Sequence, residues 1–211
     1  MKITCAREPL LAAVQIVNQA ISPRATRIIL RNIKATANGG MLTLLGTDNE
    51  VSIRYDIENV VVDRPGEAIF PNGHLIPILR ESRDEQLEIE ATDSKFSIQG
   101  FSSEFEMPNE AVKDFPDVDV DASDDYTALT SGAFRLMNRR STFAASDSEE
   151  KYATGGVLWE VADGKIKLVA TDTRKLSVCE TKTDKFFPTD PSITHLIQVR
   201  AMNLLEKNSW S

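Results

Sequence analysis

A nine-residue stretch occurs twice in this chain, 124 positions apart, and it restricts the possible architecture more than any other feature. Gly40-Met41-Leu42-Thr43-Leu44-Leu45-Gly46-Thr47-Asp48 returns as Gly164-Lys165-Ile166-Lys167-Leu168-Val169-Ala170-Thr171-Asp172. Both copies are patterned as strands and both close on the same Thr-Asp pair. A separation of this size exceeds the period of a solenoid repeat and fits a duplicated domain.

The flanks keep nearly the same phase. Met1-Lys2-Ile3-Thr4-Cys5 stands at the same offset from Asp125-Tyr126-Thr127-Ala128-Leu129, and each precedes a helical pattern, residues 9–22 and 131–145. One residue inserted after the second Thr-Asp pair sets Val51-Ser52-Ile53 against Leu176-Ser177-Val178. Ile69-Phe70-Pro71, followed by Leu75, Ile76 and Leu79, then matches Ile197-Gln198-Val199, followed by Met202, Leu204 and Leu205, at an offset of 128. The order strand, helix, strand-rich stretch, helix therefore occurs twice.

Copy one continues with three alternating runs, residues 86–91, 95–98 and 104–107, which read as strands. Copy two reaches Ser211 before any counterpart, so the chain reads as a portion of a longer protein, divided into residues 1–120 and an incomplete 121–211. Within copy one, residues 28–57 alternate as two or three strands around a turn at Asn38-Gly39-Gly40. Residues 59–69 read as a strand pair around Arg64-Pro65-Gly66. Ser22-Pro23 is the expected end of the first helix, and Pro77 inside the second predicts a short or kinked one.

Average apolar content with mixed charge describes a folded domain pair large enough to bury a core. No segment approaches the length and apolarity of a membrane-spanning helix. Cys5 and Cys179 lie in strand-like runs without metal spacing and read as buried thiols of a reducing, cytoplasmic compartment. The net charge of −8 hides a segregation. The four helical patterns (7–22, 71–82, 131–145, 199–209) hold seven Lys/Arg against three Asp/Glu, and the remainder is acidic. Residues 131–145 carry Arg135, Arg139 and Arg140 with no acid. Basic helix faces on an acidic body attract a polyanion locally and repel it elsewhere.

The acidic stretch 114–125 lacks the glycine and terminal glutamate of a calcium loop and reads as a solvated linker. His74 and His195 sit in no catalytic motif, and no glycine-rich phosphate loop, nucleophile elbow or paired-histidine helix occurs. Thr47-Asp48 and Thr171-Asp172 suit structural turns in which Asp accepts backbone N–H bonds. No catalytic residue, metal ligand or cofactor is assigned.

Taken in order, Met1-Lys2-Ile3-Thr4, Arg7-Glu8-x-Leu10-Leu11, Arg24-x-Thr26, Ile29-Leu30-x-Asn32, Leu42-Thr43-Leu44-x-Gly46-Thr47-Asp48-x-Glu50, Asp114-Phe115-Pro116 and Leu168-Val169-Ala170-Thr171-Asp172-x-x-Lys175-Leu176 resemble the bacterial sliding clamp family, the beta subunit of DNA polymerase III. The resemblance covers essentially the whole chain. It implies an α+β DNA-clamp fold: tandem copies of a domain with two helices packed on antiparallel sheets, the second copy incomplete here. It also implies a non-catalytic processivity factor, two chains closing as a ring around duplex DNA with the basic helices facing the hole. Backbone contacts without base readout permit sliding.

By the resemblance, Arg24 and Tyr152 match DNA-contacting positions, whereas Ala153 and Gly73 stand where the family has a second tyrosine and a basic residue. Charge and helix position add Arg80, Arg135, Arg139, Arg140 and Arg200. The family's groove for short peptides from polymerases, the clamp loader and repair proteins would be walled by Thr154, Thr171, Thr173, Arg174, Lys175 and Leu176. Thr173-Arg174-Lys175-Leu176 replaces the common Gly-His-Arg-Leu. Ser102 and Glu104 replace basic residues at the edge where a second chain docks, with Lys95 retained, and this chain alone is expected not to close a ring. Two other readings stay open. One is a duplicated clamp fold serving other partners without DNA, and the other is a metal-dependent enzyme built on residues 117–125.

Overall fold

The computed structural model describes residues 1–118, 127–146, 155–183, 185–186 and 192–208, with backbone only at 185, 186, 192 and 193. The chain divides into two compact units, Met1–Asp119 and Val120–Ser211. In the first, β1 (Lys2–Ala6) leads into α1 (Arg7–Val17). There follow β2 (Ile33–Asn38), β3 (Met41–Thr47), β4 (Ser52–Ile57), β5 (Val61–Arg64), β6 (Gly66–Phe70), α2 (Asn72–Glu81), β7 (Gln86–Ala91), β8 (Lys95–Gln99) and β9 (Glu104–Pro108). They form two antiparallel sheets, ordered β5-β1-β7-β8-β9 and β4-β3-β2-β6.

The core lies where the two helices meet these sheets. Leu10, Ala13, Val14 and Val17 of α1 and Leu75 and Leu79 of α2 are fully buried against Ile3, Leu44, Phe70, Ile89 and Phe96. Phe70 and Phe96 meet edge to face with centroids 5.2 Å apart. Burial without a partner pushes the Cys5 thiol up to about 12, which leaves it a small apolar core residue.

The second unit contains β10 (Thr127–Ala128), α3 (Ser131–Thr142), β11 (Gly156–Ala162), β12 (Lys165–Thr171), β13 (Leu176–Lys182), β14 (Lys185–Phe186), β15 (Ser192–Gln198) and α4 (Val199–Asn208). Its sheets are β13-β12-β11-β15 and β10-β14. The Thr130 hydroxyl caps α3 by accepting the Ala133 N–H at 3.2 Å.

Strand register shows how closely the units agree. Asn38 pairs with Met41 in the first, and Ala162 with Lys165 in the second. Thr47 pairs with Ser52, and Thr171 with Leu176. All four correspondences keep the 124-residue offset, so the residue expected as an insertion after Thr171-Asp172 is not there. Ile33 pairs with Phe70 and Val157 with Ile197, which sets the later offset at 127 rather than 128. Apolar matching misplaced both, because alternating strands resemble themselves after small shifts, whereas a hydrogen-bond ladder does not.

Three other expectations change in detail. Residues 28–57 make three strands, preceded by a 3₁₀ turn over Ile28–Arg31. The first helix ends at Val17 and tightens into a 3₁₀ turn over Asn18–Ala20, ahead of the Ser22-Pro23 stop. β5 and β6 are not partners: β5 pairs with β1 and β6 with β2, in different sheets. Pro65 between them has no N–H for either ladder, and Gly66 adopts φ 146° as the chain crosses over. The second helix is short, ten residues with Pro77 inside.

Candidate nucleic-acid and peptide interfaces

The helical cations do not share one fate. Arg7 is half-buried, donates through Nη1 to the Leu79 carbonyl at 3.1 Å and pairs with Glu8 at 3.3 Å. It braces α1 against α2 instead of facing solvent. The exposed positions of α1 are Glu8, Pro9, Ala12 and Gln15, so this helix presents no basic face. Arg80 is exposed in the last turn of α2, beside the carbonyls whose partial charge favours a cation. Arg24 is exposed in the turn after α1, its N–H 3.4 Å from the Ser22 hydroxyl oxygen. Gly73, in the first turn of α2, is exposed with open space where a side chain would begin.

The basic character is concentrated on α3. Arg135 is half-buried, and Arg139 and Arg140 are exposed on the side away from Phe134, Met137, Asn138 and Ser141. Arg139 Nε lies 3.0 Å from Glu206 Oε1, and Asn138 Nδ2 donates to Glu206 Oε2. The Asn138 amide first, then the Arg139 guanidinium, hold the Glu206 carboxyl below its ordinary range. Arg200 is exposed in the first turn of α4, where the helix dipole disfavours a cation. Tyr152 and Thr154 lie outside the described residues.

Thr171, Thr173, Arg174, Lys175 and Leu176 come together at the β12–β13 turn, built as the β3–β4 turn is. Asp172 Oδ1 accepts the N–H groups of Arg174 at 2.9 Å and Lys175 at 2.8 Å; Asp48 Oδ1 accepts those of Glu50 at 3.1 Å and Val51 at 2.9 Å. The hydroxyls of Thr171 and Thr47 accept from Thr173 and Asn49. Those two residues have φ 72° and 76°. The repeated Thr-Asp pair is thus a turn device in both copies. Backbone donation from Lys175 and Arg174 also holds the Asp172 carboxyl low. Lys175 is committed: its Nζ donates to the Phe143 carbonyl at the end of α3 at 2.6 Å and pairs with Asp172 at 3.3 Å. Arg174 and Leu176 are exposed.

Beside this turn lies an apolar row that sequence reasoning missed. Val178, Val169, Leu158 and Leu196 are direct cross-strand neighbours on the outer face of the four-stranded sheet, and Val178 and Leu196 are 55% and 48% exposed. Leu158, Val169, Thr171 and Leu196 line a shallow depression with Gly156. The matching row in the first unit is Arg54, Leu45, Lys34 and Ile69, where Ile29, Leu30 and Phe115 pack over Ile69 and Leu45. The signal was available: β11 is apolar in both phases at Val157-Leu158-Trp159, as a strand covered on both faces would be.

The last strand of the five-stranded sheet, β9, is paired on one side only among the described residues. It carries Phe105, 42% exposed, and Glu106, which pairs with Lys95 at 2.7 Å. His74, Pro77, Ile78, Phe105 and Met107 line a depression next to it. Among the described residues no three His, Cys, Asp or Glu side chains are grouped as a metal ion would require, and no helix is long and apolar enough to cross a membrane.

Residues 1–119 match the family model of the DNA polymerase III beta subunit, N-terminal domain. The chain is 27% identical over 207 residues to the beta sliding clamp of Pseudomonas putida, covering 98% of this chain and 55% of that protein. To the beta sliding clamp of Caulobacter vibrioides it is 29% identical over 187 residues, 85% of this chain and 50% of the relative. The crystal structure of the Bacillus subtilis DNA polymerase sliding clamp superposes with a TM-score of 0.90 at 25% identity, over 98% of this chain and 56% of that one. The Pseudomonas aeruginosa DNA polymerase III subunit beta gives 0.89 at 25% identity, over 100% and 57%. The chain therefore spans about half the length of these relatives.

Proposed function

The chain belongs to the DNA polymerase III beta subunit family, and on that premise we propose that it is part of a sliding clamp, a non-catalytic processivity factor that encircles duplex DNA without reading its sequence. Arg24, Arg80, Arg135, Arg139, Arg140, Arg200 and Tyr152 are the proposed DNA contacts. The observation that carries this reading is α3, a helix with three arginines, no acid, and two of those arginines exposed. Such side chains neutralise backbone phosphate and release counterions while leaving the bases unread, which is the chemistry a mobile tether needs.

The β12–β13 turn, with Thr171, Thr173, Arg174, Lys175 and Leu176, is the proposed near wall of a groove for short peptides of the polymerase catalytic subunit, the clamp loader and other proteins bearing a clamp-binding motif. An exposed Leu176 beside an apolar row suits a peptide whose one apolar anchor carries most of the affinity. The outer edge of β9 is the proposed docking line for a second chain in the full-length homodimer, in the cytoplasm.

Retention on DNA tests the ring. Full-length protein loaded on a nicked circular plasmid should stay bound through a high-salt wash and be lost when the plasmid is linearised. Equal loss from both forms would refute topological tethering. A second reading, a clamp fold serving other partners without DNA, draws on the neutral-to-acidic exposed face of α1 and the bare Gly73. It predicts duplex affinity that is negligible even at low salt.

A further inference from the structure

The first unit holds a cleft for which neither the DNA contacts nor the peptide groove accounts. It opens between the 3₁₀ segments that follow α1 and the first turn of α2. Its apolar walls are Ile21, Pro23, Ile28, Ile76, Pro77 and Pro108. Asn72 also lines it, 6% exposed, its Nδ2 donating to Asn18 Oδ1 at 2.6 Å and its Oδ1 buried with no partner among the described residues. Turning both amides over keeps that hydrogen bond and only exchanges an orphan carbonyl for an orphan NH₂.

The fold does not demand this arrangement. By strand register and helix position, the residues of the second unit that match Asn18 and Asn72 are Thr142 and Val199. A buried polar atom left unpaired where an aliphatic side chain would serve is a standing cost, offset when something binds there. The cleft offers the complementary group as well. Pro71 gives α2 no side-chain cap, and the first bonds of the helix run from His74 and Leu75 to the Pro71 carbonyl. The N–H groups of Asn72 and Gly73 therefore have no acceptor within the helix. Gly73 places no side chain between them and an approaching ligand.

We propose that this cleft binds an extended, uncharged peptide segment that sets one aliphatic side chain between Ile28, Ile76 and Pro77, its backbone amide facing Asn72 and the open first turn of α2. In an extended segment the N–H and C=O of one residue lie on the same edge, so a single residue carries both a donor for the Asn72 carbonyl and an acceptor for the α2 N–H groups. The two charged residues of the lining oppose each other in sign and are already engaged. Arg31 donates to the Ala25 carbonyl at 2.8 and 3.0 Å, and Glu110 accepts from Asn32 at 3.3 Å. With one charge of each sign in the lining, the cleft does not select a strongly charged ligand. The inference rests on the first unit alone and is independent of the clamp reading.

The test is a ¹H–¹⁵N NMR titration of the labelled protein with N-acetyl-leucine N-methylamide. Saturable shifts are expected at the Gly73 N–H and the Asn72 side-chain NH₂, with N-methylacetamide, which lacks the aliphatic group, binding at least five-fold more weakly. Ile28→Glu changes an exposed rim residue without disturbing the core and should weaken the leucine probe about ten-fold; Asn72→Ala should do the same. Shifts that never saturate, that persist unchanged in Ile28→Glu, or that fall instead on Leu158, Val169 and Leu196 would each overturn the assignment.

Discussion

Arg139 lies against Glu206 with Nε 3.0 Å from Oε1, so one arginine of the most basic helix is tied to the neighbouring helix while remaining 75% exposed. The same carboxylate receives Asn138 from the buried side of α3. A register comparison places Val14 and Leu79 of the first unit at the positions of Asn138 and Glu206. Two buried aliphatic residues of the first core thus correspond to a charge-assisted polar contact in the second unit.

That contact makes the second unit acid-sensitive. Glu206 titrates below its ordinary range when folded, so its contribution is fully present above the unfolded carboxylate value, about 4.3, and is lost as pH falls through the lower folded value. Urea midpoints of the protein and of Glu206→Gln, measured from pH 7 to pH 3, should differ most at neutral pH and converge at the acid end. Parallel curves across the range would remove the linkage.

Substituting Arg140 tests the DNA reading at a residue that does not brace the fold. Arg140→Ala should lower duplex affinity and reduce the slope of log K against log salt by about 0.9, the loss of one phosphate contact. Arg7→Ala, by contrast, should reduce thermal stability and leave that slope unchanged, because Arg7 is engaged with Leu79 and Glu8.

Thr173 stands at φ 72°, a left-handed conformation that β-branched residues avoid. Thr173→Gly should stabilise the second unit by about 1 kcal/mol, the relief of strain exceeding the entropy glycine adds to the unfolded chain. Asn49→Gly, at φ 76°, should gain less, since Asn tolerates this region. Calorimetric melting of the two variants would show whether the order holds.

The two copies distribute side-chain bulk differently at one helix–strand position. A Cβ on Gly46 would sit 2.7 Å from Val17 Cγ1 and 2.9 Å from the Val17 carbonyl oxygen. The corresponding pair in the second unit is Ala170 with the smaller Ser141, both buried. Gly46→Ala should therefore cost about 1–3 kcal/mol by overpacking; combined with Val17→Ser, itself destabilising because it puts a hydroxyl at a fully buried site, the loss should be smaller than the sum of the two. Additive losses in a chemical-denaturation cycle would show that the two sites do not share one space.

Local patterning carried most of the architecture into the sequence. The strands β7, β8 and β9, the four helices and the Thr-Asp turns follow from apolar period and from side chains that bond their own backbone, and neighbours in sequence decide both. The repeat itself was legible because the hairpins of the two units share turn chemistry, Gly39-Gly40 against Asp163-Gly164, all at positive φ. The family resemblance rested on segments spread along the chain, from Met1-Lys2-Ile3-Thr4 to Lys175-Leu176.

What the sequence could not decide was non-local. The partners of β5 and β6, the true register after Asp172 and the fates of Arg7 and Arg139 depend on which strand or helix arrives from far along the chain. A charge count treats every arginine alike, yet the Leu79 carbonyl takes one and Glu206 another. The apolar row from Val178 to Leu196 forms only when four strands align, and of those strands only β11 carried a signal in its own sequence. Composition and period set the elements, and packing, which brings distant groups within a few ångströms of one another, determined which of them are left to meet a partner.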